Sequence, residues 1–233
     1  PAILAKEVAS LDYLSNGRIV LGVGVGPSNR REIFEVFGVN PKERGARTDE
    51  ALTIINGLWT GKPFSYKGRF YEFKDIIMEP KPVQRPRPPI WVGGESEAAL
   101  KRTARYGDGF VPAGSTTPAT YDRAMLKITR YCEELGRDPS KITRALHLYF
   151  HIAESRHEAV TRANEALKKR VGINFGIKPQ QGAVLGSADD CARDIERFIS
   201  CGVEHIVVNP ACDRSEFFDQ IELFASAVMS RFI

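Results

Sequence analysis

LDYLSNGRIVLGVGVG, residues 11–26, runs from a helix end through a glycine stop into a buried strand and out into a glycine-rich turn. Ile3, Leu4, Val8, Leu11 and Leu14 recur at helical spacing, so residues 2–15 read as an amphipathic helix. Asn16-Gly17 ends it, because glycine accepts the left-handed backbone that a C-terminal cap requires. Ile19-Val20-Leu21 is a continuous apolar run suited to a strand covered on both faces. Gly22, Gly24 and Gly26 then let the backbone come close to a cofactor, or serve only the packing of a tight turn. Helix, strand and a turn of exposed backbone N–H groups is the order in which parallel α/β proteins build cofactor sites.

Working outward, strand-like and helix-like segments alternate. Strands are expected at 19–24, 89–93, 109–112, 144–152 and 204–209. Helices are expected at 47–59, 96–106, 118–135, 155–171, 187–201 and 214–231. The alternation predicts a parallel sheet with helical crossovers. Between the first two strands lies an insertion at about 60–88. In it, FSYKGRFYEF reads as a hairpin around Lys67-Gly68, and prolines at 80, 82, 86, 88 and 89 stiffen the approach to the next strand. Five strands suffice for a doubly wound sheet, whereas a barrel needs eight.

The 233 residues, 42% of them hydrophobic, allow a sizeable core, and one domain is expected. A net charge of +4 from 33 basic and 29 acidic residues is mild, without basic and aromatic residues interleaved, which argues against nucleic-acid binding. No apolar stretch reaches membrane-spanning length and no signal-peptide pattern opens the chain, so no membrane partner is expected. Cys132, Cys191, Cys201 and Cys212 lack CxxC spacing and read as reduced thiols, from which a cytoplasmic location follows. The chain starts with Pro rather than Met, as a fragment would.

Four segments carry candidate chemistry. Gly22, Gly24 and Gly26 follow a strand, but the dinucleotide fingerprint needs its third glycine at position 27, where Pro27 stands. Gly93-Gly94-Glu95-Ser96 follows the strand Ile90-Trp91-Val92 and opens a helix: a phosphate-sized anion site if Glu95 and Glu97 turn away from it, or only a helix start with Ser96 as its cap. Gly114, Ser115 and Thr116 offer N–H and hydroxyl donors to the same ligand, or form a plain loop. Along 144–152, Leu146, Leu148, Phe150 and Ile152 share one face and His147, Tyr149 and His151 the other. His151, nearest the strand's C-terminal end, is a candidate for contact with substrate or cofactor, or a hydrogen-bonded core histidine. A metal site is disfavoured, since residues four apart on a strand lie ~13 Å apart. Residues 172–186, glycine-rich and aperiodic, are long for a connector and read as a lid.

Taken together, LDYLSNGR-IVLGVGVG, ERGARTDEALTIINGLWTG, PIWVGGESEAALKRTARYGDGF and GSADDCARDIERFISCGVEHIVV resemble, in order, the bacterial luciferase-like superfamily. Those proteins are FMN-dependent and coenzyme F420-dependent oxidoreductases on a TIM (β/α)8 barrel. The resemblance implies an α/β fold in which strand 19–24 is the fourth of eight. Residues 1–233 would then be a single incomplete domain, strands four to eight, with roughly 80–100 residues carrying about the first three strands absent. It implies that Gly93, Gly94, Glu95 and Ser96 hold the cofactor phosphate and that Val25 and Gly26 lie along the cofactor. Two departures, Pro27 and Thr116, stand where sugar-phosphate dehydrogenases of the family keep an acid and a lysine, so a sugar-phosphate substrate is not implied. Catalytic residues near strand two fall in the absent part and stay unassigned.

The expected function is therefore an oxidoreductase acting on a small organic substrate. Reduced FMN and oxygen would make it a monooxygenase, with a flavin reductase as partner; F420 would make it a hydride-transfer enzyme. The resemblance also implies a homodimer for the full-length protein. Two rivals stand beside this reading: a non-catalytic flavin-binding barrel protein or fragment, and an NAD(P)-dependent Rossmann dehydrogenase.

Overall fold

The structure, a computed structural model, describes residues 1–26, 31–112, 116–171 and 183–232. The chain forms two compact units, Pro1–Asp108 and Gly109–Ile233.

The first unit is built around a parallel strand pair. Helix α1 (Ala2–Leu14) ends at Asn16 and Gly17, both left-handed with φ of 54° and 77°. The chain then enters β1 (Leu21–Val23), passes a short helix α2 (Arg31–Val36), and forms α3 (Arg44–Leu58). The hairpin β2 (Phe64–Lys67) and β3 (Glu72–Ile76) turns where Lys67-Gly68 predicts, and stacks Phe64 on Phe73 with ring centroids 5.9 Å apart. Strand β4 (Ile90–Val92) pairs in parallel with β1, Leu21 opposite Ile90 and Val23 opposite Val92, and leads into α4 (Glu97–Tyr106).

The apolar side chains explain this packing. Ala5, Val8 and Ala9 of α1 share a core with Leu52, Ile54, Ile55 and Leu58 of α3 and with Ile90 and Val92. Trp59 fixes the helix pair by donating its indole N–H to the Ala5 carbonyl at 2.9 Å. Asp12, fully buried on α1, accepts from the backbone N–H groups of Val83 and Gln84 at 2.8 and 3.0 Å and from the Gln84 side chain at 2.6 Å. The proline-rich approach to β4 is thereby pinned to the first helix.

The second unit centres on β6 (Thr143–Ile152), reached from β5 (Gly109–Phe110) through α5 (Pro118–Glu134). After it come α6 (Arg156–Val171), β7 (Ala183–Gly186), α7 (Ala188–Ile199), β8 (His205–Pro210) and α8 (Phe217–Ala227). All three other strands run parallel to β6. One edge of β6 carries β8, while the other carries β5 at Thr143–Arg144 and β7 at Tyr149–Ile152. Phe150 packs on Phe224 of α8 with centroids 4.5 Å apart. Gln220 of α8 accepts from the Ile152 N–H at 2.8 Å and donates to the Ile152 carbonyl at 2.9 Å, as a neighbouring strand would.

One expectation needs correction. Residues 183–186 are not part of a lid loop but a buried strand, opposite Tyr149–Ile152; residues 172–182 of the expected lid lie outside the described residues. Ala-Val-Leu-Gly is too short to show a period, and its purpose is visible only in the edge of β6 it fills. Helix α2 was also unforeseen, because six residues hold too few turns to be read from spacing.

Candidate functional site

Two glycine turns meet at the C-terminal ends of β1 and β4. The Gly93 N–H donates to the Val23 carbonyl at 2.8 Å, so the turn after β4 is tied to the last residue of β1. Gly94 has φ of 100°, and a Cβ there would lie 3.3 Å from Ala99 Cβ, so side chains are disfavoured on both counts. Ser96 caps α4, its hydroxyl oxygen accepting from the Ala99 N–H at 3.3 Å while its own proton stays free to donate. The first turn of a helix leaves N–H groups without intrahelical partners, which is what an anion needs. Glu95 is half-buried, and its Oε1 is buried without a hydrogen-bond partner among the described residues.

The helix that carries this turn is rigidly held. Buried Arg102 reaches from α4 to α3, donating from Nε to Asp49 Oδ1 at 2.6 Å, from Nη2 to Oδ2 at 3.1 Å, and to the Gly45 carbonyl at 3.2 Å. Sequence reading did not single out this fork. Its signal was an arginine on the buried face of an otherwise amphipathic helix.

On the β1 side, Gly22 and Gly24 have open space where a Cβ would stand. Gly26 has φ of 76°, and a Cβ there would lie 2.9 Å from Phe34 Cζ, so α2 closes over this turn. Val25 lines a cavity of about 330 Å³ with Ile33, Phe34, Phe37, Arg44 and Thr48. Pro27 lies outside the described residues.

Two candidates of the second unit, His151 and Thr116, sit apart from solvent. His151 is fully buried, and its Nδ1 lies 3.0 Å from the Ala211 carbonyl, so that nitrogen carries the proton and Nε2 holds a lone pair with no partner among the described residues. The face of β6 that bears Tyr149 and His151 is covered by Ala159, Ala163 and Leu167 of α6. His151 thus has the geometry of a hydrogen-bonded core histidine, with one unsatisfied acceptor. Thr116 is 1% exposed and its hydroxyl lacks a partner among the described residues; Gly114 and Ser115 lie outside them. Among the described residues no group of three or more His, Cys, Asp or Glu could hold a metal ion, and no helix is long and apolar enough to cross a membrane. The four cysteines are free thiols, and burial pushes Cys191 up to about 12.

Burial sets the titration of both strand histidines. It lowers the pKa of His151 against the opposing pull of its Ala211 bond, and lowers that of His147 with help from the Arg170 charge. Because the folded values lie below the ordinary one, the unfolded chain takes up protons first as pH falls. Stability should therefore be full above about pH 6.5 and decline below it, by up to about 1.4 kcal/mol per pH unit for each histidine until its folded pKa is passed. Urea midpoints at pH 7.5 and 5.5 check this; an equal or higher midpoint at pH 5.5 overturns it.

The fold has solved counterparts. The fold is similar to that of monooxygenase RslO1 from Streptomyces bottropensis, with a TM-score of 0.81 and 22% identity over all of this chain and 74% of that one. It is also similar to the coenzyme F420 dependent tetrahydromethanopterin reductase from Methanopyrus kandleri, with a TM-score of 0.76 and 20% identity over all of this chain and 80% of that one. These likenesses establish an α/β fold of the luciferase-like barrel type. In sequence, the chain is 34% identical over 147 residues to the phthiodiolone/phenolphthiodiolone dimycocerosates ketoreductase of Mycobacterium tuberculosis, 62% of this chain and 38% of that protein. The chain spans less than half the length of the curated relatives it matches. Residues 1–195 match the model of the luciferase-like monooxygenase family, and the chain belongs to that family.

Proposed function

We propose that the chain is the cofactor-holding part of an oxidoreductase that uses a reduced flavin-type cofactor, FMN or F420, on a small organic substrate. The observation that carries this is the joined pair of glycine turns, closed by the Gly93 N–H to Val23 carbonyl bond and opening on the N-terminus of α4. Both cofactors carry a phosphate and a polyhydroxylated chain, and the donor set suits them. Backbone N–H groups and the Ser96 hydroxyl would hold the phosphate. Glu95 Oε1, without a partner among the described residues, would accept from a ligand hydroxyl, which turns its carboxylate from a repulsive neighbour into a complementary one. The open space over Gly22 and Gly24 would admit the body of the cofactor.

When bound, the reduced cofactor would supply an electron pair, to the substrate as hydride in the case of F420 or to oxygen in the case of FMN. The protein's share is placement: Arg102 fixes α4, Gly94 brings the backbone close, and the open groove beside Val25 flanks that wall. A ketoreductase among the relatives and a monooxygenase among the structural neighbours represent the two chemistries such a site serves.

Separate titrations of the purified protein with reduced FMN and with F420, followed by absorbance and fluorescence, test the reading. Micromolar binding of one of them is expected. Binding of neither overturns it. Gly94→Asp adds backbone strain of about 1–3 kcal/mol and a negative charge where the phosphate would sit, so its affinity should fall about 100-fold or more. Gly94→Ala, with strain alone, should lose about tenfold. Undiminished binding by Gly94→Asp would remove the phosphate from this turn.

A further inference from the structure

A second cavity, of about 740 Å³, opens in the second unit between the end of α6 and the segment that follows β8. Three cations line it, Lys169, Arg170 and Arg214, against one carboxylate, Asp213. Lys169 and Asp213 neutralise each other at 3.0 Å. Arg170 spends its hydrogen bonds on neutral oxygens, the Pro210 carbonyl at 3.2 Å and Asn209 Oδ1 at 3.4 Å. Glu216, the next carboxylate along the segment, pairs with Arg162. Arg170 and Arg214 therefore bring two positive charges to the cavity with no carboxylate paired to either among the described residues. The remaining wall is apolar: Phe217 and Phe218 pack edge to face at 5.5 Å, Phe218 is 74% exposed, and the buried Cys212 closes the floor.

Lysines and arginines at a helix C-terminus also complement the helix dipole, which accounts for the charge of Lys168, Lys169 and Arg170 but not for Arg214 or for a bare aromatic pair. An exposed phenylalanine beside an unpaired guanidinium has a specific complement, a molecule with an apolar body and an anionic end. We infer that this cavity binds a carboxylate with an aliphatic or aromatic tail, the head group on Arg214 and Arg170 and the tail against Phe217 and Phe218. The cavity lies after the C-terminal end of β8, where parallel α/β folds bind ligands. This binding does not rest on the proposed function.

Calorimetric titration with dodecanoate, in the absence of FMN and F420, separates the two. Saturable one-to-one binding is expected, with dodecyltrimethylammonium showing none. Both Arg214 and Phe218 are exposed, so changing them spares the core. Arg214→Glu should weaken dodecanoate at least tenfold, and Phe218→Ser at least threefold. Equal affinity for the cationic amphiphile, or dodecanoate affinity unchanged in Arg214→Glu, overturns the assignment. Because no cofactor is present, a failure of cofactor binding leaves this result standing, and the reverse holds as well.

Discussion

Replacing Asp12 by alanine should lower stability by about 3–5 kcal/mol, a large fraction of what holds a typical domain folded. The carboxylate is fully buried and takes three hydrogen bonds, two from backbone N–H groups of Val83 and Gln84 and one from the Gln84 amide. Alanine would strand those donors beneath α1, and each buried unsatisfied group costs about 1–3 kcal/mol. The Gln84 amide has a second bond, to the Ile19 carbonyl at 2.7 Å, which ties the same segment to the chain entering β1. Asp12→Asn keeps one acceptor oxygen and should lose about half as much. Urea unfolding followed by circular dichroism measures both. A midpoint for Asp12→Ala within experimental error of the parent would show that the proline-rich segment is not held by this residue.

Arg156→Ala should cost about 2–4 kcal/mol, for a different reason. Asp194 on α7 is 2% exposed and receives the Arg156 guanidinium at 2.7 Å, while Asp190 takes its other nitrogen at 3.1 Å. Removing the arginine leaves Asp194 with Arg197, at 3.6 Å, as its partner, and a buried carboxylate short of partners is costly. Removing both charges together, in Arg156→Met with Asp194→Leu, should recover much of the loss, since the penalty lies in the uncompensated charge rather than in the missing pair. If the double variant is no more stable than Arg156→Ala, burial of the charge is not the cause.

The parts of the fold written in local chemistry were readable from the residues. Asn16-Gly17 marked a helix stop and adopts left-handed angles there. Lys67-Gly68 marked the hairpin, and Ser96 stands as the N-cap of α4. What escaped was set by partners distant in sequence. Ala183–Gly186 becomes a strand because β6 offers an unpaired edge there, and nothing within those four residues records it. The alternation of β6 correctly separated two faces, but not that α6 would cover the one bearing His151. At the glycine turns, Gly94 was legible from its type, whereas the tie from Gly93 to Val23 and the fork from Arg102 to Asp49 appear only once β1, β4 and α3 are brought together.

The double hydrogen bond between Gln220 and the backbone of Ile152 gives α8 a fixed axial setting. A slide of one helical turn, about 5.4 Å, would break both bonds at once and leave the end of β6 bare inside the core. Small sideways adjustments of α8 are compatible with the amide pair, but no intermediate axial position is. The helix is in effect indexed to the sheet by one side chain, so any shape change in this unit must move α8 and β6 as a single piece.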